Sequence, residues 1–397
     1  MSRLRVAWLG QRSSGAGDGL ITYSRETTRG LRQRGVDVLF VHHDADSGDP
    51  RSVAMAALTV GRDWFKIAVP GSSRRLAELL DRHHVDLVHV SLSFSSLDFS
   101  LPSLCHQLRM PVVATFHAPF DTHATMWAGL SRVLYHLYGL PLAHYDRVIV
   151  FGASQARLLV QSGVPQRKLR IVPNGVDVER YRPGLSDRAR RLGARQLFLY
   201  LGRLDREKNP ALLIQAFLAE HPPDDVRLAL VGGGQERGRL ERRYRDPRVV
   251  FLGAVHQELE RLALLRAADA LFLPSSIEGL SLALLEGMAC GACPVATDVG
   301  CDGDAVRGAG ILLDPVHLRS ELRLAVRTLA NAPELARPLG ELARQRAVER
   351  FSLERNVDAL LSVYGEVLGR EVDLAVEAAA LARTHGAADR EGGGAVE

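Results

Sequence analysis

Short apolar runs that end in glycine recur along this chain, with helix-length segments between them. Arg3–Leu9 runs into Gly10, Leu228–Val231 into Gly232, and Pro294–Val299 into Gly300. Runs rich in Val, Leu and Ile mark strands covered on both faces, and their alternation with helical segments specifies parallel α/β layers. Further strands are read at Val36–Val41, Asp86–Val90, Pro111–Thr115 and Arg147–Phe151. In the second half they fall at Leu197–Leu201, Val250–Val255 and Ala270–Leu273. At 397 residues the chain exceeds one ordinary core, so two domains of similar size are expected, joined by the basic connector Glu179–Arg195.

One segment carries chemistry. The strand Ala270–Leu273 leads through a short loop holding Glu278 into a helix that carries Glu286. Ser281 is a good N-cap before an apolar stripe, and Gly291 stands where a helix-ending glycine belongs. A helix N-terminus attracts anions, phosphates above all, while carboxylates accept hydrogen bonds from hydroxyls. Together they suit a ligand with both phosphate and many hydroxyls, such as a nucleotide sugar.

This E-x7-E arrangement resembles the retaining nucleotide-sugar glycosyltransferases of the GT-B fold, the family-four or "group 1" type. Gly202-Arg203-Leu204-Asp205-Arg206-Glu207-Lys208-Asn209 resembles the family's G-R-x-x-x-x-K-(G/N) loop. Leu228–Gly234 is similar to its L-x-I-x-G-x-G, Val250–Val255 to its F-x-G-x-V, and Ile171–Asp177 to its I-P-N-G-V-D junction. Thr115-Phe116-His117 resembles T-x-H, and Leu87-Val88-His89 resembles D-V-V-H. The ordered set spans the chain and is strongest from Ile171 to Asp314.

The resemblance implies two Rossmann-like domains facing across a cleft. The expected organisation is an acceptor domain over residues 1–175 and a donor domain over 176–352. A helix over 353–375 would cross back to the first domain, and a tail over 376–397 is too Ala- and Gly-rich to pack. Implied roles follow motif by motif. Arg203 and Lys208 hold the donor diphosphate, Glu278 the hydroxyls of the transferred sugar, and Glu286 the nucleotide ribose. His117 helps to orient the sugar. Gly19, Val255, Gly279, Leu280, Ser281 and Leu282 line the donor. Fixed cations fit a diphosphate leaving group, which gains charge as the sugar bond breaks. The chain has only three lysines against forty-seven arginines, so a lysine at position 208 is itself suggestive. Retention without a paired nucleophilic carboxylate implies front-face substitution.

Two departures from the family stand out. Asp18-Gly19-Leu20 replaces the usual Gly-Gly pair before Ile or Val, and Cys301 replaces the second glycine of Gly-Gly-x-Pro-Glu. The triplets Asp44-Ala45-Asp46 and Asp302-Gly303-Asp304 are read as metal-free polar loops, so neither metal nor cofactor is expected. Cys290-Gly291-Ala292-Cys293 lacks a second pair and reads as ordinary cytosolic thiols. His42, His43, His83 and His84 lack motif support and are read as surface residues, and His89 as a core or capping residue.

Rival readings keep their own support. An epimerase or phosphorylase would share the architecture, and a non-catalytic subunit would bind donor without turnover. Gly15, Gly17 and Gly19 with Asp44 hint at a dinucleotide-dependent oxidoreductase, but Leu20 stands where the third glycine belongs. Net charge +4 and pI near 9 suit phosphate ligands or an anionic membrane surface, and no basic run or aromatic ladder suggests nucleic acid. No secretory core or spanning segment is read, so a cytoplasmic protein is expected, with peripheral contact at the inner membrane face as a further option. Met126, Trp127, Leu130, Val133, Leu134, Leu137 and Tyr138, flanked by Arg132, form an apolar stripe. It reads either as a core-facing helix or as a face for lipid. The sequence leaves the acceptor, a glycan, lipid or small molecule, open.

Overall fold

The computed structural model describes residues 3–11, 19–43, 51–60, 65–92, 95–123 and 126–372. Two parallel sheets organise the chain. The first contains β1 (Arg5–Leu9), β2 (Asp37–His42), β3 (Ser52–Ala54), β6 (Leu87–Ser91), β7 (Val112–Thr115), β8 (Arg147–Val150) and β9 (Leu169–Ile171), in the order β3-β2-β1-β6-β7-β8-β9. Between β3 and β6 the chain forms an antiparallel hairpin of β4 (Ala57–Val60) and β5 (Phe65–Ala68). The second sheet contains β10 (Gln196–Leu201), β11 (Val226–Val231), β12 (Val249–Gly253), β13 (Ala270–Leu273), β14 (Cys293–Thr297) and β15 (Ile311–Leu313), ordered β12-β11-β10-β13-β14-β15.

The central strands are buried on both faces, which is why they read as unbroken apolar runs rather than as alternating ones. Each sheet reverses its winding once, at β1/β6 and at β10/β13. Open α/β sheets bind ligands outside the carboxyl ends of their strands at such reversals. Here those ends are Leu9 and Ser91 in the first sheet, and Leu201 and Leu273 in the second. Loops that follow strands of the two sheets meet directly. The Phe120 amide donates to the Glu278 carbonyl at 2.9 Å, and Asn174 Nδ2 donates to the Leu280 carbonyl at 2.7 Å.

The helix Leu353–Leu368 begins at Ser352, whose side chain accepts from the Arg355 amide. It lies on the first sheet, burying Val357, Leu360, Leu361 and Tyr364 against Val6, Trp8 and Leu31. Tyr364 reaches through this layer to His89 Nδ1 at 2.6 Å, and His89 Nε2 is 2.8 Å from Thr115 Oγ1. Trp8 stacks on the His89 ring at 4.1 Å. His89 is thus a fully buried core residue.

Burial, and then the neighbouring His117, push the His89 pKa down to about 3 from its ordinary 6.5. The unfolded chain therefore takes up a proton below pH 6.5 that the folded chain refuses until about pH 3. This share of stability is complete above pH 6.5 and is lost as pH falls, at most about 1.4 kcal/mol per pH unit. Urea midpoints measured from pH 7 to pH 5 are expected to fall less steeply for His89→Gln than for the unaltered chain. Equal slopes would show that His89 titrates normally.

His42 departs from the surface reading. β2 extends one residue past Val41 and pairs His42 with Ala54 of β3, so the side chain is buried. His83 and His84 are exposed.

Candidate active site

The helix Leu282–Cys290 is set up by local signals. Ser281 is its N-cap, with Oγ accepting from the Leu284 amide at 3.4 Å, and Gly291 ends it at φ 83°, a left-handed conformation that glycine adopts freely. Before it, β13 delivers the segment from Pro274 to Glu278 to the winding reversal of the second sheet. From the adjacent β10 comes the loop holding Arg203 and Lys208.

The two loops are stitched together. Asn209, itself at φ 52°, donates from Nδ2 to the Pro274 carbonyl and to Ser276 Oγ, both at 2.8 Å, and the Ser276 amide donates to the Glu207 carbonyl. This brings Lys208 Nζ to 2.5 Å from Glu278 Oε1, which also accepts from Ser275 Oγ at 2.8 Å. Lys208 and Glu278, seventy residues apart, therefore share one mostly buried corner of the cleft. Arg203 lies on the same loop but points differently. It is about half exposed and pairs with Asp205 and Glu207 of its own loop.

Asp302 overturns the reading of its triplet as a polar loop. Residues Asp302–Val306 form a helical turn, Asp302 is buried, and its Oδ1 accepts from the Ser281 amide at 2.7 Å. Burial, and then the neighbouring charge of Glu278, hold its carboxyl well above the usual range. The start of the Leu282–Cys290 helix is thus partly occupied by the protein's own acid. The amides of Leu282 and Ala283 lie in the first turn, where a helix leaves its N–H groups without internal partners. Gly300 makes this packing possible: at φ 61°, a Cβ there would lie 2.2 Å from the Glu278 carbonyl oxygen.

His117 faces this corner from the first sheet. Its Nε2 is 2.9 Å from Ser91 Oγ, its ring meets Tyr23 edge-on at 4.6 Å, and its carbonyl oxygen lies 3.5 Å from where a Gly279 Cβ would stand. Burial lowers its pKa to about 3, so the ring is neutral at physiological pH and can orient a hydroxyl but not act as a charge. The next acid on that wall, Asp121, is buried and accepts from both the amide and the Nδ1 of His123 at 2.9 Å.

Glu286 is 5% exposed and paired at 3.1 Å with Arg261, which also donates to the Tyr181 hydroxyl and stacks over that ring at 5.8 Å. Burial raises its pKa, and Arg261 opposes the rise. Little of this carboxylate faces the cleft. Neither Arg261 nor Tyr181 lies in a motif that sequence reading could find; both join the site through tertiary contact. Val255 follows β12 and packs on the main core, Leu280 is buried, and Gly279 and Leu282 are partly so. Gly19 opens the first helix and is exposed. The preceding glycines, Asp18, and the triplet Asp44–Asp46 lie outside the described residues, as does the tail from residue 376.

All four cysteines are buried free thiols, and burial pushes Cys290 and Cys293 up to about 12, which removes thiolate chemistry. Among the described residues no helix is long and apolar enough to cross a membrane.

Two family models match the chain: Glycosyltransferase Family 4 over residues 17–180 and Glycosyl transferases group 1 over residues 195–331. The chain is similar to the D-inositol 3-phosphate glycosyltransferase of Geodermatophilus obscurus, 34% identical over 56% of this chain and 53% of that one. It is also similar to a glycogen synthase of Mycobacterium tuberculosis, 31% identical over 64% of this chain and 63% of that one. The chain spans about half the length of the inositol-phosphate relatives it matches. Among solved structures, Anabaena HepE in complex with UDP-glucose superposes with a TM-score of 0.73 at 17% identity, covering 92% of this chain and all of that one.

Proposed function

Since the chain belongs to the group 1 glycosyltransferases and has the GT-B fold, we propose that it moves a sugar from a nucleotide-diphosphate sugar to an acceptor hydroxyl. The observation that carries this reading is the convergence of Lys208, Glu278 and a partly satisfied helix start at one winding reversal, opposite His117. In the resting arrangement Lys208 holds Glu278. When donor enters, its diphosphate competes for the ammonium, joined by Arg203 and the amides of Leu282 and Ala283. Glu278, released in part, accepts from the sugar hydroxyls. Charge that builds on the leaving diphosphate is thus met by groups already in place.

His117, neutral and tied to Ser91, orients the sugar from the other wall. Among the described residues Asp121, the acid near that wall, is already engaged with His123, which supports front-face retention with the leaving phosphate taking the acceptor's proton. The oxidoreductase and epimerase readings draw no comparable support from the family matches.

Neither metal nor cofactor is part of the proposed mechanism. Asp302, the one described acid of the triplets that reaches the site, has Oδ1 on the Ser281 amide, and cations come from the protein. Thermal-shift titration with UDP, GDP and ADP in the presence of EDTA tests both points. HepE was solved with UDP-glucose, so UDP is expected to raise the melting temperature most. A shift seen only after Mg²⁺ or Mn²⁺ is restored would make Asp302 and Asp304 ligands. No shift with any nucleotide, with or without metal, would sink the transfer reading.

A further inference from the structure

The apolar stripe of the Met126–Leu142 helix divides between core and solvent. Tyr135 and Tyr138 are buried, whereas Met126, Leu130, Val133, Leu137 and Leu140 are between 57% and 81% exposed. Their spacing of four, three, four and three residues puts all five on one narrow face about 20 Å long. Phe99, 5.2 Å from Tyr138 and itself exposed, borders it. Soluble surfaces scatter such side chains singly, and a continuous row marks a contact surface.

Charge indicates the partner. Between Asp121 and Asp177 the sequence has one acid, Asp146, and its carboxylate accepts from the Val112 amide. Arg132 on this helix, Arg157 on the next and Arg167 beyond it are all exposed. We propose that this face docks on an anionic lipid bilayer, with the apolar row at the headgroup boundary and the arginines on the phosphates. A second copy fits less well, because two copies of one basic surface would bring like charges together. Met126 begins just past the loop of His117 and Phe120, so docking brings the cleft mouth to the membrane, where a lipid-borne acceptor would be met. That consequence rests on the transfer reading; the docking does not.

Co-sedimentation of the full chain with vesicles of phosphatidylcholine alone, or mixed with phosphatidylglycerol, tests the proposal. The chain is expected to pellet with the mixed vesicles. Combined Leu130→Gln, Val133→Gln and Leu137→Gln substitutions should weaken this about tenfold or more while preserving the nucleotide-induced thermal shift. No binding by the unaltered chain, or equal binding by the folded triple variant, overturns the assignment. So does a lipid-free dimer in sedimentation velocity that the triple variant dissolves, since the face would then belong to a second copy. Vesicle binding without any nucleotide-induced shift would remove the transfer reading and leave the docking face standing.

Discussion

Lys208→Ala is expected to lower the turnover number by roughly 10²-fold or more at saturating donor, the typical loss for one preorganised group that stabilises developing charge. The physical reason lies in where Lys208 sits. Its ammonium is held 2.5 Å from Glu278 Oε1 by a loop that Asn209 fastens to Pro274 and Ser276. In the proposed mechanism this loop holds the ammonium in place for the leaving diphosphate to draw from Glu278. Arg203 does not substitute for it, because its guanidinium is shared with Asp205 and Glu207 of its own loop.

The fold should tolerate the change at a cost of about 1–2 kcal/mol, since Ser275 still donates to Glu278 and neither side chain is fully buried. Turnover measured alongside a urea midpoint separates the two effects. A folded variant with near-normal transfer would show that Lys208 only neutralises Glu278. Lys208→Arg is a sharper probe. It keeps the charge but replaces a compact ammonium by a planar fork, so partial recovery identifies charge as the essential property.

The parts of this site that sequence could reveal are those fixed by local rules. Ser281 and Gly291 bound their helix because an N-cap hydroxyl and a left-handed glycine act within a few residues. The buried strands were legible because parallel sheets demand unbroken apolar runs, and their observed ends differ from the readings by a residue or two, as at Arg5 and Asp37. What stayed hidden depends on contacts between distant segments. Asp302 reads as a member of a metal-free polar loop until the Ser281 amide, twenty-one positions away, is brought against it. His42 looked like surface because nothing local announces that β3 will cover it. The stripe from Met126 to Leu140 has helical periodicity on two faces at once. Periodicity says that a face is apolar, not what covers it.

Arg261→Ala should be the most destabilising change near the cleft, at about 3–5 kcal/mol, the usual range when one member of a buried ion pair is deleted. Glu286 is almost wholly buried, and Arg261 supplies its opposite charge at 3.1 Å while donating to Tyr181 and covering that ring. Without Arg261 only the Tyr181 hydroxyl opposes the rise that burial, Glu258 and Glu26 impose on the Glu286 pKa, so the carboxyl moves toward its neutral form in the folded state. The sign of the pH dependence follows. A carboxyl whose folded pKa is raised contributes stability at low pH that is lost as pH rises through the folded value. The deficit of Arg261→Ala against the unaltered chain should therefore shrink on going from pH 7 to pH 5. Adding Glu286→Gln should recover part of the loss at pH 7, because an amide tolerates burial better than an uncompensated charge. With Glu286 proposed as the acceptor for the nucleotide ribose, donor affinity should fall in Arg261→Ala, as a neutral carboxyl accepts less strongly from hydroxyls. A loss below about 1 kcal/mol, with no pH dependence and unchanged nucleotide binding, would mean that Arg261 is ornamental and that Glu286 meets the nucleotide on its own.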